Sequence, residues 1–242
     1  MRLLIVRHGD PDYSIDSLTE KGWKEAEYLS ERLSKLDVKD FYVSPLGRAK
    51  DTASFTLKKM NRTAVECDWL REFDVLIDRP DVTDRQKRLW DWLPQDMEKD
   101  LDLYDRERWN KTDIMRKGNV EEAYRWVCDG LDALLKRHGY ERDDMYYRVN
   151  EPNHDTIVLF CHFGVECVML SHLLNVSPMV LWHGLCAAPS SITSIYTEER
   201  RKGIAGFRVN EFGSTAHLYV AGEKPSFAAR FCECYGDGDR QD

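Results

Sequence analysis

Two short apolar runs, each closed by a histidine, constrain this chain more than any other feature. Leu3-Leu4-Ile5-Val6 leads into Arg7-His8-Gly9, and Thr156-Ile157-Val158-Leu159-Phe160-Cys161 leads directly into His162. Both runs are continuous rather than alternating, the pattern of a strand buried on both faces, as in the middle of a parallel sheet. Open sheets of that kind bind ligands beyond the carboxyl ends of their strands. Two strand-terminal histidines are therefore expected to meet in one crevice.

The remaining pattern fits the same architecture. Thr19 can cap a helix, with Leu18 and Trp23 at the staple positions and Trp23, Ala26, Leu29, Leu33 and Leu36 forming one apolar stripe. Phe41-Tyr42-Val43 reads as a second strand, and Ser44-Pro45 as the cap and first-turn proline of a helix from Arg48 to Met60. A further strand is expected near Ala64 to Cys67, a helix from Glu121 to His138 stopped by Gly139, and a helix from His162 through Leu174. Tyr140 to His154 is polar and reads as a loop, whereas Ser191 to Thr197 and Gly206 to Val209 read as a hairpin extending the sheet. Residues 78–119 interleave charges with Trp90, Trp92, Leu93, Trp109 and Met115, which predicts a helical insertion that covers an edge of the core or forms a lid or substrate-selecting wall. Residues 223–242 read as a polar tail. The expectation is one domain over 1–242, an α/β three-layer sandwich with a mostly parallel sheet.

Composition narrows the partners. A formal charge of −8 opposes general nucleic-acid binding, which needs a basic surface or stripe, so any phosphate affinity must be local. No apolar run reaches the ~18 residues of a membrane span. The 7 cysteines are scattered, which does not read as a disulfide framework and points to a reducing compartment. Met1-Arg2 runs straight into the first strand without a signal-peptide pattern, so a cytoplasmic location is expected.

The chemistry-bearing residues converge on phosphoryl transfer. Arg48 opens a helix after a strand and Arg7 adjoins His8. Planar guanidinium forks bind phosphoryl oxygens bidentately, and helix-terminal NH groups favour the same anion. A neutral imidazole at His8 could attack phosphorus and form a phosphohistidine, with neither metal nor cofactor required. The leaving oxygen needs a proton, for which Glu72 is well placed, with Asp74 a second candidate. Other chemistries fit poorly. Cys161, which ends a strand, has Cys167 where a Cys-x₅-Arg phosphatase needs Arg, the Gly-x₄-Gly-Lys-Ser/Thr loop is absent, and His154, His162, His172 and Cys232-x-Cys234 lack a recognised metal-ligand spacing.

The ordered set of motifs resembles the histidine phosphatase superfamily, also called phosphoglycerate mutase-like. Val6-Arg7-His8-Gly9 matches its opening signature, Leu18-Thr19-Glu20-Lys21-Gly22 its Leu-Thr-x-x-Gly helix start, and Ser44-Pro45-Leu46-Gly47-Arg48-Ala49-Lys50-Asp51-Thr52-Ala53 its Ser-Pro-x-x-Arg element. Cys161-His162-Phe163-Gly164 carries the second histidine, and Thr215-Ala216-His217-Leu218 resembles a later family element. The resemblance implies a phosphate pocket of Arg7, His8, Arg48 and His162, with Glu72 in a Leu-x-Glu stretch as the acid. Phe163 and Asp10 are expected to touch a small phosphorylated substrate.

Three departures bear on the substrate. Asp10-Pro11-Asp12-Tyr13 replaces the family's frequent Glu-Thr, the mutases' Gly-x-x-Glu-Gly is missing after Glu72, and Phe163 stands where the acid-phosphatase branch has Asp. The first two favour hydrolysis over a mutase-type isomerisation, and the third disfavours the acid-phosphatase branch. A non-catalytic binding module on the same fold is the other alternative, for which Trp90, Trp92 and Trp109 would form an exposed patch.

Overall fold

The computed structural model describes residues 1–226, so the expected polar tail lies outside the described residues beyond Ser226. The central sheet contains β1 (Arg2–Arg7), β2 (Asp40–Val43), β3 (Val65–Glu66), β4 (Tyr140–Asp143), β5 (Tyr146–Val149), β6 (Thr156–Cys161), β7 (Ile192–Arg201) and β8 (Ile204–Ser214). Their order is β3-β2-β6-β1-β7-β8-β5-β4. The four strands from β3 to β1 are parallel, and β7, β8, β5 and β4 continue the sheet in antiparallel pairings.

Alternation along the buried strands builds a core on each face. Leu3, Ile5, Ile157, Leu159 and Cys161 join one cluster, with Leu131 and Leu134 of α3 (Val120–Arg137) and Val168 of α4 (Phe163–Leu174). Leu4, Val6, Val158 and Phe160 join the other, with Leu29 and Leu33 of α1 (Glu20–Leu33) and Ala49 and Ala53 of α2 (Gly47–Met60). Helices therefore cover both faces, giving the expected three layers. Each fully buried Leu or Ile contributes about 1.5–3 kcal/mol, so β1 and β6 are the most strongly held strands.

Two local readings are corrected. Tyr140 to Val149 is a hairpin rather than a loop: Tyr140 and Tyr147 are buried while Glu141, Arg142 and Asp143 lie on the sheet edge, and Asp144 turns the chain with φ 53°. Charged edge strands lack the apolar pattern by which strands are recognised. Ser44 does not cap α2; Leu46 is the N-cap, without a side-chain bond, and Ser44 turns toward His162. Thr19 does cap α1, accepting from the Gly22 NH at 3.1 Å.

Residues 78–119 carry part of a small hairpin (Leu76–Ile77 with Lys87–Arg88), short helices at Pro94–Met97 and Asp113–Lys117, and 3₁₀ turns between them. The segment packs on α3 and on α5 (Pro178–Gly184): Trp109 meets Tyr124 and Trp182 edge-on, and Ser177 donates to the Leu103 carbonyl at 2.6 Å. Trp90, Trp92 and Trp109 are buried, so the exposed patch required by a binding module is not formed by them. Among the described residues no helix is long and apolar enough to cross a membrane.

Candidate active site

Register brings the two histidines together. Arg7 of β1 is the Cα partner of Cys161 of β6, so His8 and His162 are the next residues out of two adjacent parallel strands. The His8 NH donates to the Cys161 carbonyl at 3.0 Å, and the imidazole centres lie 5.0 Å apart. One strand over, the Ser44 NH donates to the Phe160 carbonyl at 2.9 Å, which places Ser44 Oγ 2.8 Å from His162 Nε2. The N-termini of α2 and α4 open immediately after these strand ends, and their free NH groups favour an anion at this edge.

His8 is held in one tautomer. Its Nδ1 lies 2.7 Å from the Gly9 carbonyl, which only accepts, so Nδ1 carries the proton and Nε2 keeps the lone pair. Burial, then the Arg7 charge, then Arg48 hold its pKa well below the usual imidazole value, against the pull of the Gly9 carbonyl. His162 is pushed well down too, by burial and then by His8, Arg48 and Arg7. Both rings are neutral near pH 7.

Three site side chains bring buried nitrogens without a hydrogen-bond partner: Arg7 Nε, Arg48 Nε and His162 Nδ1. Such groups are costly to bury, and they coincide with the residues expected to grip a phosphoryl group. Arg7 is anchored by donation to the Ala187 carbonyl and lies 5.8 Å from the centre of the buried Phe163 ring. Arg48 pairs with Asp16, whose other oxygen accepts from the Gly47 NH at 2.7 Å, and Tyr13 lies against the guanidinium at 5.4 Å.

Glu72 meets the same cluster from the segment after β3. Its Oε1 accepts from the Phe73 NH at 2.8 Å and from the Val165 NH, in the first turn of α4, at 3.2 Å. Burial raises its pKa above the ordinary carboxyl value, against those NH donors and the charges of Arg7 and Arg48. Gly164 is required here: a Cβ on it would stand 2.5 Å from Glu72 Oε1. Asp74, the alternative acid, is exposed. Asp10 is directed away from the phosphate cluster, its carboxylate accepting from Thr19 Oγ1 at 2.7 Å and from Ser226 Oγ.

The family model of the histidine phosphatase superfamily, branch 1, matches residues 3–210. The chain belongs to that superfamily. The spacings of its motifs now have physical reasons. A Cβ on Gly9 would lie 2.8 Å from the Gly22 carbonyl, so the glycines after His8 and in the first turn of α1 permit one close approach. Thr52 accepts from the Gly9 NH at 2.9 Å and donates to the Arg48 carbonyl at 2.7 Å, tying the His8 loop to α2. The His8 carbonyl accepts from the NH of Ser190 at 2.9 Å, and Ser190 Oγ lies 3.1 Å from His217 Nε2.

Among relatives of this histidine phosphatase-superfamily chain, a 2,3-bisphosphoglycerate-dependent phosphoglycerate mutase of Thermoplasma acidophilum is 35% identical over 72 residues, which cover 26% of this chain and 36% of that protein. Phosphoserine phosphatase 1 of Hydrogenobacter thermophilus is 24% identical, over 93% of this chain and 99% of that protein. Among solved structures, a phosphoserine phosphatase variant of Entamoeba histolytica bound to phosphoserine aligns with TM-score 0.56 and 17% identity, covering 90% of this chain and 98% of that one. A mycobacterial glucosyl-3-phosphoglycerate phosphatase aligns with TM-score 0.56 and 18% identity, covering 88% and 99%.

Residues missed in the sequence are Asp16, Ser44 as a partner of His162, and Glu166. Glu166 is buried in α4, bonded to the Thr193 side chain with Oε1 unpartnered, and burial raises its pKa to about 7. Only its acidic character within the apolar stretch Val165 to Leu170 could have signalled it.

Proposed function

We propose that this chain is a metal-independent phosphomonoesterase working through a phosphohistidine on His8. The observation that carries the reading is His8 itself: buried, neutral, with Nδ1 tied to the Gly9 carbonyl and Nε2 left as the nucleophile between two guanidinium groups and a second imidazole.

Nε2 attacks phosphorus and the ester P–O bond breaks, its electron pair leaving on the substrate oxygen. Glu72, whose pKa burial raises above the ordinary carboxyl value, gives that oxygen its proton and releases the alcohol. Arg7, Arg48 and His162 hold the three non-bridging oxygens of the transferring phosphoryl group as charge shifts among them. Water then loses a proton to Glu72 and attacks the phosphohistidine. The P–N bond breaks, orthophosphate leaves, and both residues return to their starting states.

Relatives named for phosphoserine and phosphoglycerate chemistry support a small phosphorylated substrate. The mutase likeness over 72 residues keeps a second reading in view, in which the phosphoryl group returns to another hydroxyl. Phosphate release from an aryl phosphate, by wild type and His8→Ala at about pH 5 to 8 with and without chelator, separates these readings. Chelator-resistant release lost in His8→Ala is expected. Loss with chelator alone contradicts the mechanism, and transfer to an acceptor that depends on a bisphosphate primer favours the mutase.

A further inference from the structure

The short segment between α5 and β7 touches Arg7 and His8 three times. The Ala187 carbonyl accepts from the Arg7 guanidinium, the Ser190 NH donates to the His8 carbonyl at 2.9 Å, and the Ser191 carbonyl accepts from the Arg7 NH at 3.0 Å. The His8 NH is given to the Cys161 carbonyl, so the His8 backbone is gripped by β6 on one side and by this segment on the other. Whatever holds the segment therefore helps decide where the imidazole stands.

Residues 188–191 form a tight turn, closed by donation from the Ser191 NH to the Ala188 carbonyl at 3.1 Å. Pro189 takes its second position and Ser190, with φ 61°, its third. A left-handed third position favours glycine, because a Cβ there crowds the backbone. A serine in that conformation is a cost unless its hydroxyl has a use. The buried Ser190 Oγ lies 3.1 Å from Nε2 of His217, in the first turn of α6 (Ala216–Ala221).

His217 is buried as well, and with Nδ1 unpartnered its ring is engaged at Nε2, by Ser190. Burial, then the charge of Arg32 on α1, push its pKa down to about 4. The ring is thus neutral near pH 7, and what it supplies is a hydrogen bond rather than a charge.

We propose that His217 is a positioning residue for His8. Acting through the Ser190 hydroxyl, it fixes the turn that holds the His8 carbonyl and so aims Nε2 at phosphorus. The proposal rests on the phosphohistidine reading and adds to it a residue outside the phosphate cluster.

Three variants test it. Ser190→Gly removes the hydroxyl while suiting the left-handed backbone, His217→Leu removes the ring, and His217→Gln offers Ser190 a polar group in its place. Each is assayed well below its own unfolding midpoint with a phosphorus-labelled aryl phosphate. The rate at which label appears on His8 within one turnover is expected to fall ~10-fold in Ser190→Gly and in His217→Leu, and no further in the double variant. His217→Gln is expected to recover most of that rate. Inhibition by orthophosphate, which reads the grip of Arg48 and His162, is expected to stay within about threefold of wild type. Slower transfer with binding held marks positioning, whereas a loosened fold weakens both. Labelling of Ser190→Gly within about twofold of wild type overturns the proposal and leaves the phosphohistidine reading intact. So does a joint loss of rate and orthophosphate binding that His217→Gln fails to restore. Should His217→Leu not fold, Ser190→Gly and His217→Gln decide on the same readouts. Hydrolysis by wild type without label on His8 contradicts the phosphohistidine reading itself, and the proposal falls with it.

Discussion

Ser44 Oγ stands 2.8 Å from Nε2 of His162, so a hydroxyl at the end of one strand fixes the imidazole at the end of its neighbour. With Nε2 engaged, the ring presents Nδ1 as its unpartnered nitrogen. Ser44→Ala removes one buried hydrogen bond, worth about 1–2 kcal/mol. Steady-state kinetics should show roughly a tenfold fall in kcat/KM. Unchanged kinetics would mean that Ser44 does not position His162.

In the proposed mechanism Glu72 sets the pH dependence. Its carboxyl must be protonated when the leaving group departs, and burial raises its pKa above the ordinary value. His8 is neutral well below pH 6.5, so it imposes no limb in the working range. Activity on alkyl esters is therefore expected to be high on the acid side and to fall as pH rises through the Glu72 pKa. Glu72→Gln should lower kcat on alkyl phosphates by ~10²–10⁴-fold, cost far less on nitrophenyl phosphate, and remove that basic limb. A basic limb that persists in Glu72→Gln assigns the proton donor elsewhere.

Much of this arrangement was legible in the sequence because it lies where strong patterns end. β1 and β6 are continuous apolar runs, and adjacent parallel strands of matched register place their next residues together, so His8 and His162 followed from pattern alone. Asp16 did not, because it acts from a loop whose path to Arg48 depends on the left-handed turn at its own backbone, φ 48°. The β4–β5 hairpin was hidden by its charges. Asp10 was expected at the substrate, yet its carboxylate is taken up by Thr19 and Ser226 on the far side of the α1 start.

Asp16 neutralises part of the Arg48 charge that a phosphoryl group needs. Asp16→Asn keeps a polar group of the same size and removes the competing anion. Inhibition by orthophosphate should become several-fold tighter in the variant. Weaker inhibition would show that Asp16 acts by orienting Arg48.

Glu166 links stability to pH. Its folded pKa of about 7 exceeds the ordinary 4.5, so the fold holds the proton more tightly than the unfolded chain does. Nothing is lost below the unfolded value. Stability declines as pH rises from there to about 7, by about 3 kcal/mol for a shift of this size. Denaturant unfolding at about pH 5 and about pH 8 should therefore show Glu166→Gln gaining on wild type at the higher pH. Equal pH dependence in the two proteins would contradict a buried, proton-binding Glu166.

The central claim is covalent transfer to His8, and single-turnover labelling with a phosphorus-labelled substrate tests it most directly. Quenching in alkali, where phosphohistidine survives, and mapping the label should place it on the peptide carrying His8 in wild type, labile to acid and absent from His8→Ala. Label that persists in His8→Ala, or hydrolysis by wild type with no labelled protein at any time within the first turnover, would contradict it.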